Sequence, residues 1–346
     1  MRDIALRHST FLLLTWMSSL AMDAAPVMAA DTEVAISVLP YYTSNAFGLK
    51  DDWIDGFSLQ QGPGQRFEGL SSPWDFVTPI HAETSRRWKH SNGLRFTAMG
   101  SFEYEHYLQN NLASFGEFRV GGEMEAGKNA RTRFRIDWTP NRYKKNYENP
   151  DLASDEYSQA EYRQLELSLA HVQRLHKSWF LQLSLDHDIR RFDDPFDNRD
   201  RNLWVGALKV EHALGKRLSL EFASELGTAS SPGGIEEGLV VDRSFDQLGL
   251  SSALSSPVGL WRARVFAGLK LRDYTTDNDA DLSRYDRRDR TWEISTKWDR
   301  RLGAREKLSL RLAYLDRSSD RPADLNDPDI VPYHETVLGV GLTHQF

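Results

Sequence analysis

The chain has 346 residues, 27% of them charged, a net charge of −7 and a mean hydropathy of −0.55. It has no cysteine, which excludes disulfides, thiolate metal sites and a lipoprotein anchor, and the acidic balance argues against nucleic-acid binding. After the first 30 residues no run of about 18 apolar residues remains, so no transmembrane helix is expected.

Residues 1–30 have the layout of a secretory signal peptide. Arg2, Arg7 and His8 form a basic start, residues 11–22 an apolar stretch broken by Thr15, Ser18 and Ser19, and residues 24–30 a run of small residues with expected cleavage after Ala29 or Ala30. Residues 31–346 are then expected to form one domain. Residues 33–42 read as a first strand. Residues 43–79, rich in Gly, Pro and Trp, read as a first external loop, with a hidden strand pair or an internal plug as alternatives.

From residue 95 onward the chain alternates apolar and polar positions, as strands must when one face meets an apolar medium. Phe134, Ile136 and Trp138 oppose Arg133, Arg135 and Asp137. Leu165, Leu167 and Leu169 oppose Glu166, Ser168 and Ala170. Leu181, Leu183 and Leu185, then Leu218, Leu220 and Phe222, then Leu308, Leu310 and Leu312 repeat the pattern. Short turns such as 90–93, 127–130, 214–216 and 302–305 join these segments in pairs, and Gly and Asn supply the turn chemistry. Longer polar connections alternate with them at 146–158, 193–199, 230–242, 276–287 and 319–332. The segments run to about ten to fourteen residues, which suits tilted membrane strands better than soluble ones, whose usual length is about 5–6. Trp88, Trp138, Trp179, Trp261, Trp292 and Trp298 are expected near strand ends, as interfacial girdles. The last strand, 334–346, carries Leu338, Val340, Leu342 and Phe346 on one face.

This short-turn, long-loop rhythm resembles a Gram-negative outer-membrane β-barrel, with features similar to the barrel domain of surface lipoprotein assembly modifiers at residues 242–246 and at 332–334 leading to Phe346. The resemblance implies an all-β fold: a transmembrane antiparallel up-and-down barrel of about fourteen strands, within roughly 12–16. It also implies outer-membrane lipid and lipopolysaccharide as surroundings, with the barrel assembly machinery reading the terminal aromatic Phe346. Oligomeric state is left open.

If lipid meets the apolar stripe, the other stripe lines a lumen. One wall is expected to carry Glu103, Glu105, Glu117, Arg119, Glu123, Glu125, Arg133, Arg135 and Glu166. The opposite wall carries Arg262, Arg264, Lys270, Arg272, Lys297 and Arg311, with Glu293 among them. These charges either contact a solute or pair across strands and fill the barrel. The ladder Arg262, Arg264, Lys270 and Arg272 faces small inward residues on the strand before it and is expected to resist neutralisation, making it the strongest candidate for contact with an anionic or sugar-like solute. Arg284 and Arg287 are expected in an external loop, remote from the lumen.

No catalytic constellation is expected. Asp186, His187 and Asp188 are the nearest candidate cluster but lack a serine partner, and Asp277, Asp279 and Asp281 lack the glycine and late glutamate of an EF-hand loop. No metal or cofactor is implied. The expected function is a porin-like channel for small hydrophilic solutes, the alternative a non-conducting barrel assisting export, assembly or surface interaction.

Overall fold

Alternating strands that bury nothing on their apolar side need a partner on each edge, and closure of the sheet on itself supplies it. The computed structural model describes residues 30–90, 93–127, 129–148, 156–215, 217–232, 242–276, 284–320 and 332–346. The leader expected at 1–30 therefore lies outside the described residues except for Ala30.

Fifteen strands form one antiparallel sheet among the described residues. They are β1 (Ala30–Val38), β2 (Tyr41–Thr43), β3 (Asp75–Lys89), β4 (Leu94–Tyr107), β5 (Phe115–Ala126), β6 (Ala130–Glu148), β7 (Tyr157–His176) and β8 (Trp179–Phe192). There follow β9 (Arg201–Leu214), β10 (Leu218–Ser230), β11 (Phe245–Val258), β12 (Trp261–Tyr274), β13 (Arg288–Arg301), β14 (Glu306–Ser319) and β15 (Tyr333–Gln345). Each strand from β3 to β15 pairs with its sequence neighbours. β1 and β2 are two halves of one stave, broken at Leu39–Pro40, because both pair with β3 on one side and β15 on the other. The result is a closed barrel of fourteen staves. Closure rests on the register Ala35↔Gln345 to Val38↔Leu342 and Tyr41↔Gly339 to Thr43↔Val337. Pro40 cannot donate to the ladder, yet its carbonyl still accepts from Val340 N at 3.0 Å.

The sides of the strands are as the alternation demands. Leu169, Leu183, Phe222, Leu250, Ile294, Leu312 and Val340 are exposed on the outside, and Leu226 is 67% exposed. Charged and small residues face inward. Apolar outside with polar inside is the arrangement of a barrel in a bilayer, where lipid rather than water meets the apolar band. A strand of fourteen residues is about 46 Å long, against an apolar band about 25 Å tall, so strand ends project beyond it. Trp88, Trp179, Trp261 and Trp298 sit near the short-turn end, and Trp204 and Trp292 near the other. Trp138 departs from the expectation: it lies within β6, stacked on Phe118 with ring centroids 5.7 Å apart.

The short turns all lie at one end, together with Ala30 and Phe346. The other end carries the long connections, and the first of them is folded. β3 starts at Asp75, so the loop expected over 43–79 is residues 44–74, and it holds neither a strand pair nor a plain coil. It contains helix α1 (Asp51–Asp55) and a 3-10 turn at Phe57–Gln60. Phe47, Leu49, Trp53, Phe57, Phe67 and Leu70 bury themselves against Ala113 and Tyr143. Burial of each large side chain contributes about 1.5–3 kcal/mol. Phe57 and Phe67 stack at 4.5 Å, and the Arg66 guanidinium lies 4.0 Å above Trp53.

Candidate functional site

The wall made by β4 to β7 is a network of charge pairs. Arg119 bonds Asp137 through Nε and Glu117 at 2.9 Å. Arg135 meets the same Asp137 at 2.6 Å and Glu166 at 2.9 Å. Arg133 donates to Glu123 at 2.6 Å, and Arg95 meets Glu125 at 2.7 Å. The expected candidates therefore face the lumen with their charges paired: Arg135 and Glu166 hold each other, Arg133 is held by Glu123 and Glu117 by Arg119. Asp137, flanked by two guanidiniums, is the hub of this wall. Its parity was readable, but that two arginines converge on it was not.

The opposite wall corrects the expectation that its ladder resists neutralisation. Arg264 reaches Glu221 at 2.9 Å and Lys270 reaches Glu225 at 3.1 Å. Both carboxylates are on β10, two strands from β12. The reach works because β11 between them presents Gly249, Ser251, Ala253 and Ser255 inward, and small residues leave the acidic chains room to lie across it. Arg262 sits at the short-turn end, opposite Asp299 in register, without an ion pair among the described residues. Arg311 likewise has none, and it lines a cavity of about 290 Å³ with Tyr41, Glu105, Glu293 and Glu335.

The lumen narrows toward the long-loop end. Asn45 donates to the Leu49 carbonyl at 2.7 Å and to that of His334 at 3.2 Å. These bonds fix a loop tip in which Gly48 has φ +60° and a Cβ would come within 3.0 Å of the Tyr333 ring. The Gly48 carbonyl accepts from Lys145 Nζ at 3.5 Å. Tyr333 is on β15 and Lys145 on β6, so the tip lies across the mouth between separated staves. Farther along, Asn146 Nδ2 donates to Glu68 O at 2.9 Å, and Tyr157 N to Gly64 O at 2.8 Å. A cavity of about 300 Å³ beneath the tip is lined by Tyr107, Arg142, Tyr162, Arg190, Arg317 and Tyr333. Arg190 on β8 and Arg317 on β14 come from opposite sides, six steps apart by way of β13, β12, β11, β10 and β9. Side chains from opposite walls in one small cavity define a constriction.

Arginines dominate this level. Arg190 and Arg201 share Asp188, at 3.2 and 2.7 Å. Arg287 and Arg317 share Asp289, at 2.7 and 2.6 Å. Arg287 is only 1% exposed and Arg284 2%, which corrects their expected place as remote loop charges: the 284–287 turn tucks in against β13 so that Asp289 is reached. Arg272 completes the group. Its guanidinium lies 4.7 Å from the Phe245 ring, which Arg201 approaches at 6.0 Å. Arg272 lines a second cavity of about 370 Å³ with Lys270, Glu225, Glu293, Arg317 and Tyr333. At the short-turn end a larger cavity of about 680 Å³ is bounded by Arg119, Arg133 and Arg135 on one side and Arg301, Arg305 and Lys307 on the other.

Arg142, Arg190, Arg201 and Arg317 were missed in sequence. For Arg142 the cause is two irregularities in β6, between Thr139 and Arg142 and between Tyr143 and Lys145. Unbroken alternation puts Arg142 on the lipid side with Trp138; a bulge shifts the parity and turns it inward.

The expected cluster at 186–188 is split by the pleat. Asp186 accepts from Ser168 Oγ on the inner face, whereas the His187 ring stacks on Trp204 at 3.8 Å on the outer one. Asp277, Asp279 and Asp281 lie outside the described residues. Phe346 is exposed, donates its N–H to Val34 O at 2.9 Å and meets the His344 ring edge-on.

No protein-family model and no curated protein sequence matches the chain. Among solved structures it is similar to an anion-selective porin from Comamonas acidovorans, at 10% identity and a TM-score of 0.45, covering 92% of this chain and 99% of that one. It is similar to the outer membrane channel DcaP of Acinetobacter baumannii, at 10% identity and a TM-score of 0.45, covering 92% and 98%. It is also similar to OccK1 of Pseudomonas aeruginosa, at 11% identity and a TM-score of 0.43, covering 91% and 99%.

Proposed function

We propose that the chain is a passive outer-membrane channel for small hydrophilic solutes, with a constriction that favours anions. One observation carries this reading. Inside an apolar exterior, cavities of about 300, 370 and 290 Å³ adjoin one another, the first two along Arg317 and Tyr333, the first and third at Glu335, and the second and third along Glu293 and Leu315, so polar cavities lie side by side from the mouth into the barrel. Around the cavity beneath the tip six guanidiniums, Arg142, Arg190, Arg201, Arg272, Arg287 and Arg317, stand with three carboxylates, Asp188, Asp289 and Glu335. A charge excess in a low-dielectric pore raises the local concentration of the opposite ion. The surroundings that suit the exterior are outer-membrane lipid and lipopolysaccharide, reached through the barrel assembly machinery.

The mutually paired wall of β5, β6 and β7 favours a second reading, a non-conducting barrel that serves export, assembly or surface interaction. Purified protein in planar bilayers under a salt gradient separates the two. The channel reading expects discrete conductance steps with a reversal potential on the anion side. Absence of steps selects the second reading.

A further inference from the structure

Toward the short-turn end of the described strands three charged side chains take lipid-facing parity: Arg86, Arg300 and Glu306. Glu306 meets His344 at 3.2 Å. Arg300 is the last residue but one of β13 and lies beyond Trp298, at the rim. Arg86 differs, because it lies one pleat on the membrane side of Trp88, about 7 Å along β3. It is exposed, and among the described residues no carboxylate lies within 4 Å of it. Its guanidinium turns back to the Trp88 ring, 5.5 Å from the centroid, and Trp88 is stacked on Phe96 at 5.6 Å. A long cationic chain on a lipid-facing wall bends toward the interface in this way, and the ring fixes its plane. Around Arg86 the wall is low. Thr32 and Ala98 are its register neighbours, and one pleat deeper Thr84 pairs with Gly100. A Cβ at Gly100 would meet nothing closer than Thr84 Cγ2 at 3.9 Å, so no side chain lies on that glycine, whereas the Phe134 ring covers Gly122 on the next strand.

We infer that Arg86 and the Trp88–Phe96 pair form a headgroup site for an anionic glycerophospholipid, with one acyl chain running over Gly100. The site needs the barrel to lie in a bilayer and does not depend on conduction through its lumen. An unpaired guanidinium inside the aromatic row needs an anion at that depth, and its coplanar N–H donors hold two oxygens of a phosphodiester. A second copy of the chain does not supply that anion. Among the described residues the outward carboxylate toward this end, Glu306, is occupied by His344, and the outward acids Asp246, Asp273 and Asp316 lie toward the long loops. A phospholipid supplies it, because its phosphate sits at the level of the aromatic row and its chains run inward from there. The uncovered strip at Gly100 starts where those chains start.

The test is native mass spectrometry of the detergent-solubilised barrel titrated with dioleoylphosphatidylglycerol and, separately, with dioleoylphosphatidylcholine. Wild type is expected to hold one phosphatidylglycerol more tightly than any further copy and more tightly than phosphatidylcholine. Arg86→Gln is expected to weaken that first binding about tenfold, the loss of one charge-assisted contact. Gly100→Leu keeps the charge but fills the strip, and is expected to weaken it as well. Arg300→Gln, at the rim, is expected to leave it unchanged. Heat-modifiable migration in SDS gels confirms that each variant is a folded barrel. The proposal is overturned by wild-type binding in Arg86→Gln or in Gly100→Leu, by phosphatidylcholine bound as tightly, or by equal losses in Arg86→Gln and Arg300→Gln. A two-barrel species abolished by Arg86→Gln would also overturn it and give this face to a second copy. A barrel that conducts but holds no phosphatidylglycerol loses this site alone; one that holds the lipid but passes no current loses only the channel reading.

Discussion

Glu225 lies directly over Gly249: a Cβ on that glycine would stand 2.2 Å from the glutamate Cγ and 2.5 Å from its Cδ. The glutamate uses the space to meet Lys270 at 3.1 Å on the far side of β11. A side chain at 249 would therefore uncover a lysine. Gly249→Val is expected to displace Glu225 and break the pair, worth about 0.2–1 kcal/mol, with little change in barrel stability. The measurement is reversal potential under a salt gradient, which should move toward anions. An unchanged reversal potential would show that Lys270 stays masked.

Charge reversal locates the selective level. Arg272→Glu is expected to move the reversal potential strongly toward cations. Arg288→Glu is the control, because Arg288 is exposed on the outside of the barrel and pairs there with Asp273. Its field is screened over about 8–10 Å at physiological salt, so the current should barely respond. Equal shifts in both variants would place the selective level outside the constriction.

The tip of the folded segment 44–74 lies across the mouth, against Lys145 and Tyr333. Trp53 is buried in its core and carries the Arg66 guanidinium on its face. Trp53→Ala removes both contacts, at a cost of about 3–5 kcal/mol, borne by the cap rather than by the strand ladder. Single-channel conductance should rise and become noisier while heat-modifiable migration persists. A smaller, quiet conductance would contradict the assignment of this segment as the constricting element.

Closure can be tested at two glycines with opposite surroundings. A Cβ at Gly341 would meet Leu39 Cδ1 at 2.2 Å beside the broken stave, whereas one at Gly206 meets nothing within 4 Å. Overpacking costs about 1–3 kcal/mol. Gly341→Val is thus expected to lower the temperature at which the compact gel band is lost, and Gly206→Val to leave it in place. Equal effects would mean that the β1–β15 seam is not a weak point.

Much of the architecture was legible in the residues, because a bilayer punishes a misplaced side chain on every second position. The stripe Leu308, Leu310, Leu312 and the turn at 302–305 sufficed to place β14 and its neighbour. The inward faces of Arg264, Lys270, Arg133 and Glu166 followed from the same alternation. Who pairs with whom did not follow. Arg264 meets Glu221 over an intervening strand of small residues, and such a contact depends on the register of three strands at once. Arg142 escaped because the pleat slips beneath it. Residues 44–74 escaped for another reason: their apolar residues follow neither period, since Phe47, Trp53, Phe67 and Leu70 converge by chain reversal rather than by repeat.

The slipped pleat in β6 has an evolutionary corollary. Below Thr139 the stave keeps strict register with β5 and β7, and above it the phase is set anew. Insertion or deletion of a single residue between 139 and 145 would exchange the inward arginine for a neighbour while leaving the lipid-facing surface beneath untouched. The residue that faces inward at the mouth is thereby uncoupled from the membrane fit of the body, and a lineage of such barrels can vary its mouth without relearning how to fold.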